Sequence, residues 1–173
     1  KKMFDTICHE HLEYYSTKVL KNMCNKNKLK IIHIIQNDIN GASKQFYICH
    51  KNSRFKENKR LIQKILQKEN KMKINSKKTL INFYKEIHKI KYQLLNFLKK
   101  IKEKKQSIHG YGASTKGNVL LQYFGIDNKF IDNISERNSN KFNLYTPGTN
   151  IKIISENASR KKLPNYYLVL PWH

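Results

Sequence analysis

The chain has 173 residues, enough for one domain or two small ones, and no apolar run approaches the roughly 20 residues of a membrane span. Its formal net charge of +23 invites a nucleic-acid partner, yet only four of its 35 basic residues, Arg54, Arg60, Arg137 and Arg160, are the arginines that fork onto phosphates and base edges. The lysine excess comes with an excess of Asn and Ile, which share its A/T-rich codons, so genome composition accounts for the charge more cheaply than a nucleic-acid surface.

The start, Lys1-Lys2-Met3-Phe4-Asp5, carries no apolar signal segment. Cys8, Cys24 and Cys49 lack CxxC spacing and read as reduced thiols of a cytoplasmic protein. The densest chemistry follows at once, in FDTICHEHLEYYS from Phe4 to Ser16. His9, Glu10 and His11 stand side by side, flanked by Cys8 and the aromatics Phe4, Tyr14 and Tyr15. Imidazoles of tunable pKa beside a carboxylate suit proton abstraction from carbon. The position four after His9 is Glu13, so the zincin pattern HExxH fails. Cys8, His9 and His11 would crowd a zinc ion, and no metal site is expected among them. A polar helix start with incidental histidines is the competing reading.

Leu12 to Met23 continues as a helix, and Leu29 to Ile35 is an apolar, β-branched strand. Asn37 to Gly41 carries turn signals, and Lys44 to Cys49 is a second strand. Residues 51–60 are polar and basic, a linker. Leu61, Ile62, Ile65 and Leu66 mark a short helical face, and Leu80 to Lys105 predicts a longer amphipathic helix. From Ser107 the texture changes to strand, glycine-rich turn and helix, through Gly110, Gly112 and Gly117 to Phe124. Strands are predicted over Phe130–Ser135, Ile151–Ile154 and Tyr166–Leu170, the last a buried strand cut short by Pro171. Alternation of α and β elements implies a small, mainly parallel α/β domain.

The glycine turn is neither a P-loop nor a full dinucleotide fingerprint, since GxGxxxxG replaces GxGxxG. Ser114, Thr115 and Lys116 at a helix start offer donors and charge to a phosphate, but a purely structural turn fits equally. Tyr145 to Thr149 is a turn signal, and Pro171-Trp172-His173 ends a strand where ligands of parallel sheets gather.

Together FDTICHEHLEYYS, INGASKQFYI at Ile39–Ile48, GYGASTKGNVLL from Gly110, ISERN at Ile134, YTPGTNIKIIS at Tyr145 and YYLVLPWH at Tyr166 resemble one family. It is the SAM-dependent C-methyltransferases of nucleotide-linked keto-deoxysugars. The resemblance implies an α/β fold in three parts. Residues 1–50 would be the last strands of a Rossmann-like SAM core, 51–106 a helical linker, and 107–173 a small Rossmann-like domain holding the nucleotide-sugar. It implies S-adenosyl-L-methionine bound mostly by residues upstream, and zinc in an N-terminal segment also upstream. His11 would be the base that generates an enolate, supported by Glu10 beside His9. Cys8, Tyr14, Ser114, Lys116, Asn118 and Tyr145 would contact substrate. Cys8 departs from the Tyr common in sugar enzymes, and Ala42 from the GGS-like segment. The partner implied is a nucleotide-sugar, with neither nucleic acid nor membrane. A non-catalytic nucleotide-binding module and a basic nucleic-acid binder are the alternatives.

Overall fold

The structure, a computed structural model, describes residues 3–8, 11–39 and 43–171. The described chain divides into two units, one of Glu13–Tyr84 and one of Met3–Leu12 with residues 85–171.

In the first unit, helix α1 spans Thr17–Lys26 and begins later than the apolar pattern from Leu12 predicts. Ser16 is the reason: its side chain accepts from the Val19 N–H, and its extended backbone ends the non-helical approach. Strands β1 (Leu29–Asn37) and β2 (Ser43–His50) form an antiparallel pair, with Leu29 opposite His50 and Asn37 opposite Ser43. The register shifts between Ile31 and His33. That irregularity lets Ile31 and Ile34, three apart, both enter the core, which a regular strand of period two would forbid. They pack with Cys24 of α1 and with Ile62 and Ile65 of helix α2 (Lys59–Lys71), while Leu61 and Leu66 close the margin. Asn58 caps α2 by accepting from the Leu61 N–H at 3.1 Å. Helix α3 (Lys77–Glu103) is close to its predicted extent and crosses the division between the units.

The second unit is a parallel sheet. Its strands are β3 (Ile108–Tyr111), β4 (Asn133–Glu136), β5 (Ile153–Ser155) and β6 (Tyr166–Val169), in the order β5-β4-β3-β6. All three neighbouring pairs are parallel, so this part is the mixed α/β architecture read from the alternation of elements. Helix α4 (Thr115–Phe124) follows β3, and helix α5 (Glu156–Lys161) follows β5. The core gathers Ile108, Leu121, Phe124, Ile126, Ile131, Ile134, Ile151 and Leu170, each nearly inaccessible to solvent.

Three elements of the second unit depart from expectation. Phe130 to Asp132 is a turn, not strand, because the Asp127 carbonyl accepts from the Phe130 and Ile131 N–H groups and its carboxylate from that of Lys129. Ile151 lies before β5, where its N–H donates to Thr146 Oγ1 at 2.9 Å. Strand β6 is mostly exposed rather than buried, since it lies at the edge of the sheet.

Candidate functional site

Strand order runs outward from β3 through β4 to β5, then returns across β3 to β6. Such a reversal opens a crevice at the carboxyl ends of the strands, where open α/β sheets bind ligands. Gly112 to Ser114, after β3, and Leu170-Pro171, after β6, occupy that position.

The turn after β3 is tightly held. Gly112 has φ +84°, and a Cβ there would come within 2.7 Å of Pro171 Cγ, so both backbone geometry and space demand glycine. The Gly112 N–H donates to Ser135 O at 2.8 Å. The Ala113 peptide is gripped on both sides: its N–H donates to Glu136 Oε2 and its carbonyl accepts from Lys141 Nζ, both at 2.7 Å. Glu136 Oε1 accepts from the Arg137 and Asn138 N–H groups at 2.7 and 3.0 Å. Burial raises the Glu136 pKa, but the N–H groups of Asn138, Ala113 and Arg137 and the nearby Lys141 outweigh it and hold the carboxyl below the usual range. In open dinucleotide folds an acid at the end of the second strand reads ribose hydroxyls. Here that carboxylate serves the backbone of the turn.

Ser114 caps α4 by accepting from the Gly117 N–H at 3.0 Å, and its hydroxyl proton remains a donor. Lys116 follows in the first turn, half-buried. The Asn118 carboxamide oxygen is buried and accepts no hydrogen bond among the described residues. Ser114 and Asn118 line a cavity of about 210 Å³ with Ala113, Thr115, Thr146 and Pro147, over an apolar floor that includes Ile134 and Leu170. Gln122 Nε2 donates to Pro147 O at 2.7 Å and ties the 145–149 loop to α4. Tyr145 itself is 55% exposed and is not among the cavity's lining residues.

The N-terminal block reaches the same helix. Phe4 stacks on Phe124, with ring centroids 5.3 Å apart, and tilts against Tyr123 at 5.7 Å. A second pocket of about 540 Å³ is lined by Ile7 and Cys8 from this block and by Thr115, Asn118, Val119, Gln122, Tyr123 and Pro147. Thr115, Asn118 and Pro147 line both cavities. Thus Cys8 and Asn118, 110 residues apart in sequence, line one pocket. His11 is exposed, and its Nδ1 lies 2.7 Å from Thr6 O. A carbonyl only accepts, so Nδ1 carries the proton and Nε2 is the basic nitrogen of the neutral ring. Its backbone N–H donates to Cys8 O at 3.0 Å. His9 and Glu10 lie outside the described residues, as does Ala42. Tyr14, in the first unit, is 55% exposed. No group of three metal-ligating side chains occurs among the described residues.

Sequence reasoning passed over Gln122, Glu136 and Lys141. For Glu136 a signal existed: an acid directly after a predicted strand, one crossover beyond a glycine turn.

A profile of the family described as the C-methyltransferase C-terminal domain matches residues 38–173. The chain belongs to that family. Over 170 residues, 98% of its length, it is also 26% identical to the C-methyltransferase NovU of Streptomyces niveus, of which it spans 40%. Membership in the C-methyltransferase C-terminal domain family agrees with the resemblance its motifs carry. The profile begins at Asp38, so the block around His11 precedes it and is covered by the alignment with NovU alone.

Proposed function

We propose that the chain is the C-terminal portion of a SAM-dependent methyltransferase that C-methylates a nucleotide-activated keto-sugar. Family membership supports the methyl-transfer class. The observation that carries the catalytic reading is the bond between His11 Nδ1 and Thr6 O, which leaves Nε2 basic on the segment that places Cys8 in the larger pocket.

In this reading a 4-keto group acidifies the neighbouring C3 proton. His11 Nε2 removes that proton, and Glu10 supports the imidazolium that forms, next to His9. The enolate carbon then takes a methyl group. S-adenosyl-L-methionine supplies an electrophilic methyl, and its contacts are assigned mostly upstream of this chain. Cys8, where sugar enzymes commonly carry Tyr, lines the substrate pocket without offering the enolate a phenol. Asn118 receives a ligand N–H or O–H at its unpartnered carboxamide oxygen, and the Ser114 hydroxyl and Lys116 hold the nucleotide or its pyrophosphate. Tyr14 and Tyr145 complete the substrate contacts. Residues 1–50 then end the SAM core, 51–106 form a helical linker, and 107–173 form the nucleotide-sugar domain. The upstream segment also carries the zinc that the resemblance implies. The enzyme works in the cytoplasm, consistent with three free cysteines, and needs neither nucleic acid nor membrane.

The test uses the full polypeptide and a nucleotide 4-keto-deoxysugar in deuterated water. His11→Gln is expected to lower C3–H exchange and methyl transfer together by about 10²-fold or more, the usual contribution of a general base. Exchange retained at the wild-type rate would remove His11 as the base.

A further inference from the structure

Arginine is scarce in this chain, yet two of its four arginines converge on one carboxylate. Arg137 follows β4 and Arg160 lies in α5, so the parallel pairing of β4 and β5 brings them together. Arg137 Nε donates to Glu156 Oε2 at 2.6 Å. Arg160 donates to Glu156 Oε1 from Nε at 3.0 Å and from Nη2 at 2.5 Å. Arg137 and then Arg160 lower the Glu156 pKa to about 2, so the acid is ionised at neutral pH. One carboxylate between two guanidiniums leaves a net positive charge. The Arg137 and Arg160 side chains are 76% and 69% exposed, against 15% for Glu156. The cations therefore stand outside the acid. Each guanidinium has five N–H donors, and Glu156 takes one from Arg137 and two from Arg160.

The arginines are also anchored from behind. The Arg137 backbone N–H is fixed by Glu136 Oε1. Tyr111 OH donates to Glu156 Oε2 at 3.4 Å, and the Tyr111 ring meets Tyr167 edge-on, with centroids 6.2 Å apart. The cluster thus sits at the carboxyl edge of the parallel sheet, beside the last residue of β3, where such sheets take their ligands. It is on the α5 face. His109, two before Tyr111 and so on the same side of β3, bonds Ser159 of α5. Leu170, by contrast, lies under Gly117 of α4. The cluster is therefore distinct from the pockets that Asn118 lines.

We propose that Arg137 and Arg160 form an oxyanion site that grips a phosphate group of a phosphoester ligand through their outward N–H groups. A lysine would supply the charge alone, whereas the planar fork supplies two parallel hydrogen bonds. This inference stands independently of methyl transfer.

The test is titration of the ¹⁵N-labelled chain with inorganic pyrophosphate at about 150 mM salt, where diffuse attraction beyond roughly 8 Å is screened. The arginine Nε–Hε signals of Arg137 and Arg160 should move saturably. Arg137→Gln should weaken binding about tenfold or more, and Arg137→Lys severalfold, because the charge remains and the fork is lost. Lys129→Gln, which removes a charge from the turn before β4, should leave binding unchanged. Equal binding by wild type and Arg137→Lys would overturn the proposal, as would equal losses in Lys129→Gln and Arg137→Gln. Urea midpoints establish that each variant is folded; if Arg137→Gln is not, Arg137→Lys decides. Uridine diphosphate is the second probe. A matching Arg137 effect confirms recognition of the phosphate itself. Indifference to Arg137, with loss on Asn118→Ala, refutes the arginine site while leaving the α4 pocket as the nucleotide site.

Discussion

Gly117 lies in the first turn of α4, where alanine would ordinarily favour the helix by up to ~1 kcal/mol. The packing reverses that sign. A Cβ on Gly117 would stand 2.6 Å from Leu170 Cβ, the root of a rigid, buried side chain rather than a movable tip. Gly117→Ala should therefore destabilise the fold by about 1–3 kcal/mol, the usual cost of overpacking. A urea midpoint equal to or above the wild type would contradict the close approach of α4 to Leu170. His109 carries a second residue-scale expectation. It is 2% exposed, with Nδ1 2.7 Å from Ser159 Oγ and Nε2 3.3 Å from Asn133 Nδ2, a donor. Burial lowers its pKa below the ordinary 6.5, Asp132 opposes the shift and Lys162 adds to it. The unfolded chain thus protonates this imidazole first. Its stabilising contribution is complete above about pH 6.5 and declines as pH falls from there through the folded-state pKa. The melting temperature should drop more between pH 7.5 and 5.5 for the wild type than for His109→Gln. Parallel curves would show that His109 does not titrate differently in the two states. Glu136 and Glu156, with lowered values, enter only below about pH 4.5.

Among the elements, α2 carries an acid that the apolar pattern does not account for. Glu69 is 8% exposed and accepts from Thr17 N and Thr17 Oγ1 at 3.1 and 2.5 Å, and from Lys44 Nζ of β2. Burial pushes its pKa up, but Lys44 and Thr17 together bring it below the usual carboxylate range. It thus ties α1, β2 and α2 around one charge. Lys44→Met would leave a buried carboxylate without its counter-ion, with an expected loss of about 1–3 kcal/mol, below the cost of a fully buried pair because Lys44 is part-exposed. Lys44→Met with Glu69→Leu should recover most of it, and a double-mutant cycle with no coupling would show the pair to be inert. What could be read from sequence follows the same logic of periodicity. β1, β2, α2, α3, β3 and α4 showed through because apolar residues recur at strand or helix spacing over their length. Helix α5 escaped notice because six residues make less than two turns; its sign was the cap, Ser155, accepting from the Ala158 N–H at 3.1 Å. At the site, Ser114, with Thr115 and Lys116, was legible as a helix start after glycines, and Asn118 came only from the family resemblance. That Cys8 and Asn118 line one pocket was not legible, because no local pattern encodes a shared site 110 residues apart.

At the scale of the whole chain, the formal charge of +23 and the apolar surface of α3 bear on what the chain does by itself. Leu80, Tyr84, Ile90, Tyr92 and Phe97 of α3 are each more than half exposed, and β1 and β2 form a sheet of only two strands. A two-stranded sheet gains its stability from what packs on it, and here β2 has no buried residue. The chain spans 40% of NovU. Among the described residues, the strand, glycine turn and helix arrangement that cradles nucleotides occurs after β3, whereas the first unit has no parallel pair. In the proposed reading the methyl donor is held mostly by residues outside these 173, while the base and the nucleotide contacts lie within them. The purified chain should then bind a nucleoside diphosphate, measured by calorimetry, yet transfer no labelled methyl from S-adenosyl-L-methionine to a keto-sugar nucleotide. The polypeptide carrying this chain with a SAM-binding core should do both. Methyl transfer by the 173 residues alone would place the donor site within them and overturn the proposed division of labour. Transfer by the longer polypeptide that survives His11→Gln undiminished would keep the division and move the base elsewhere.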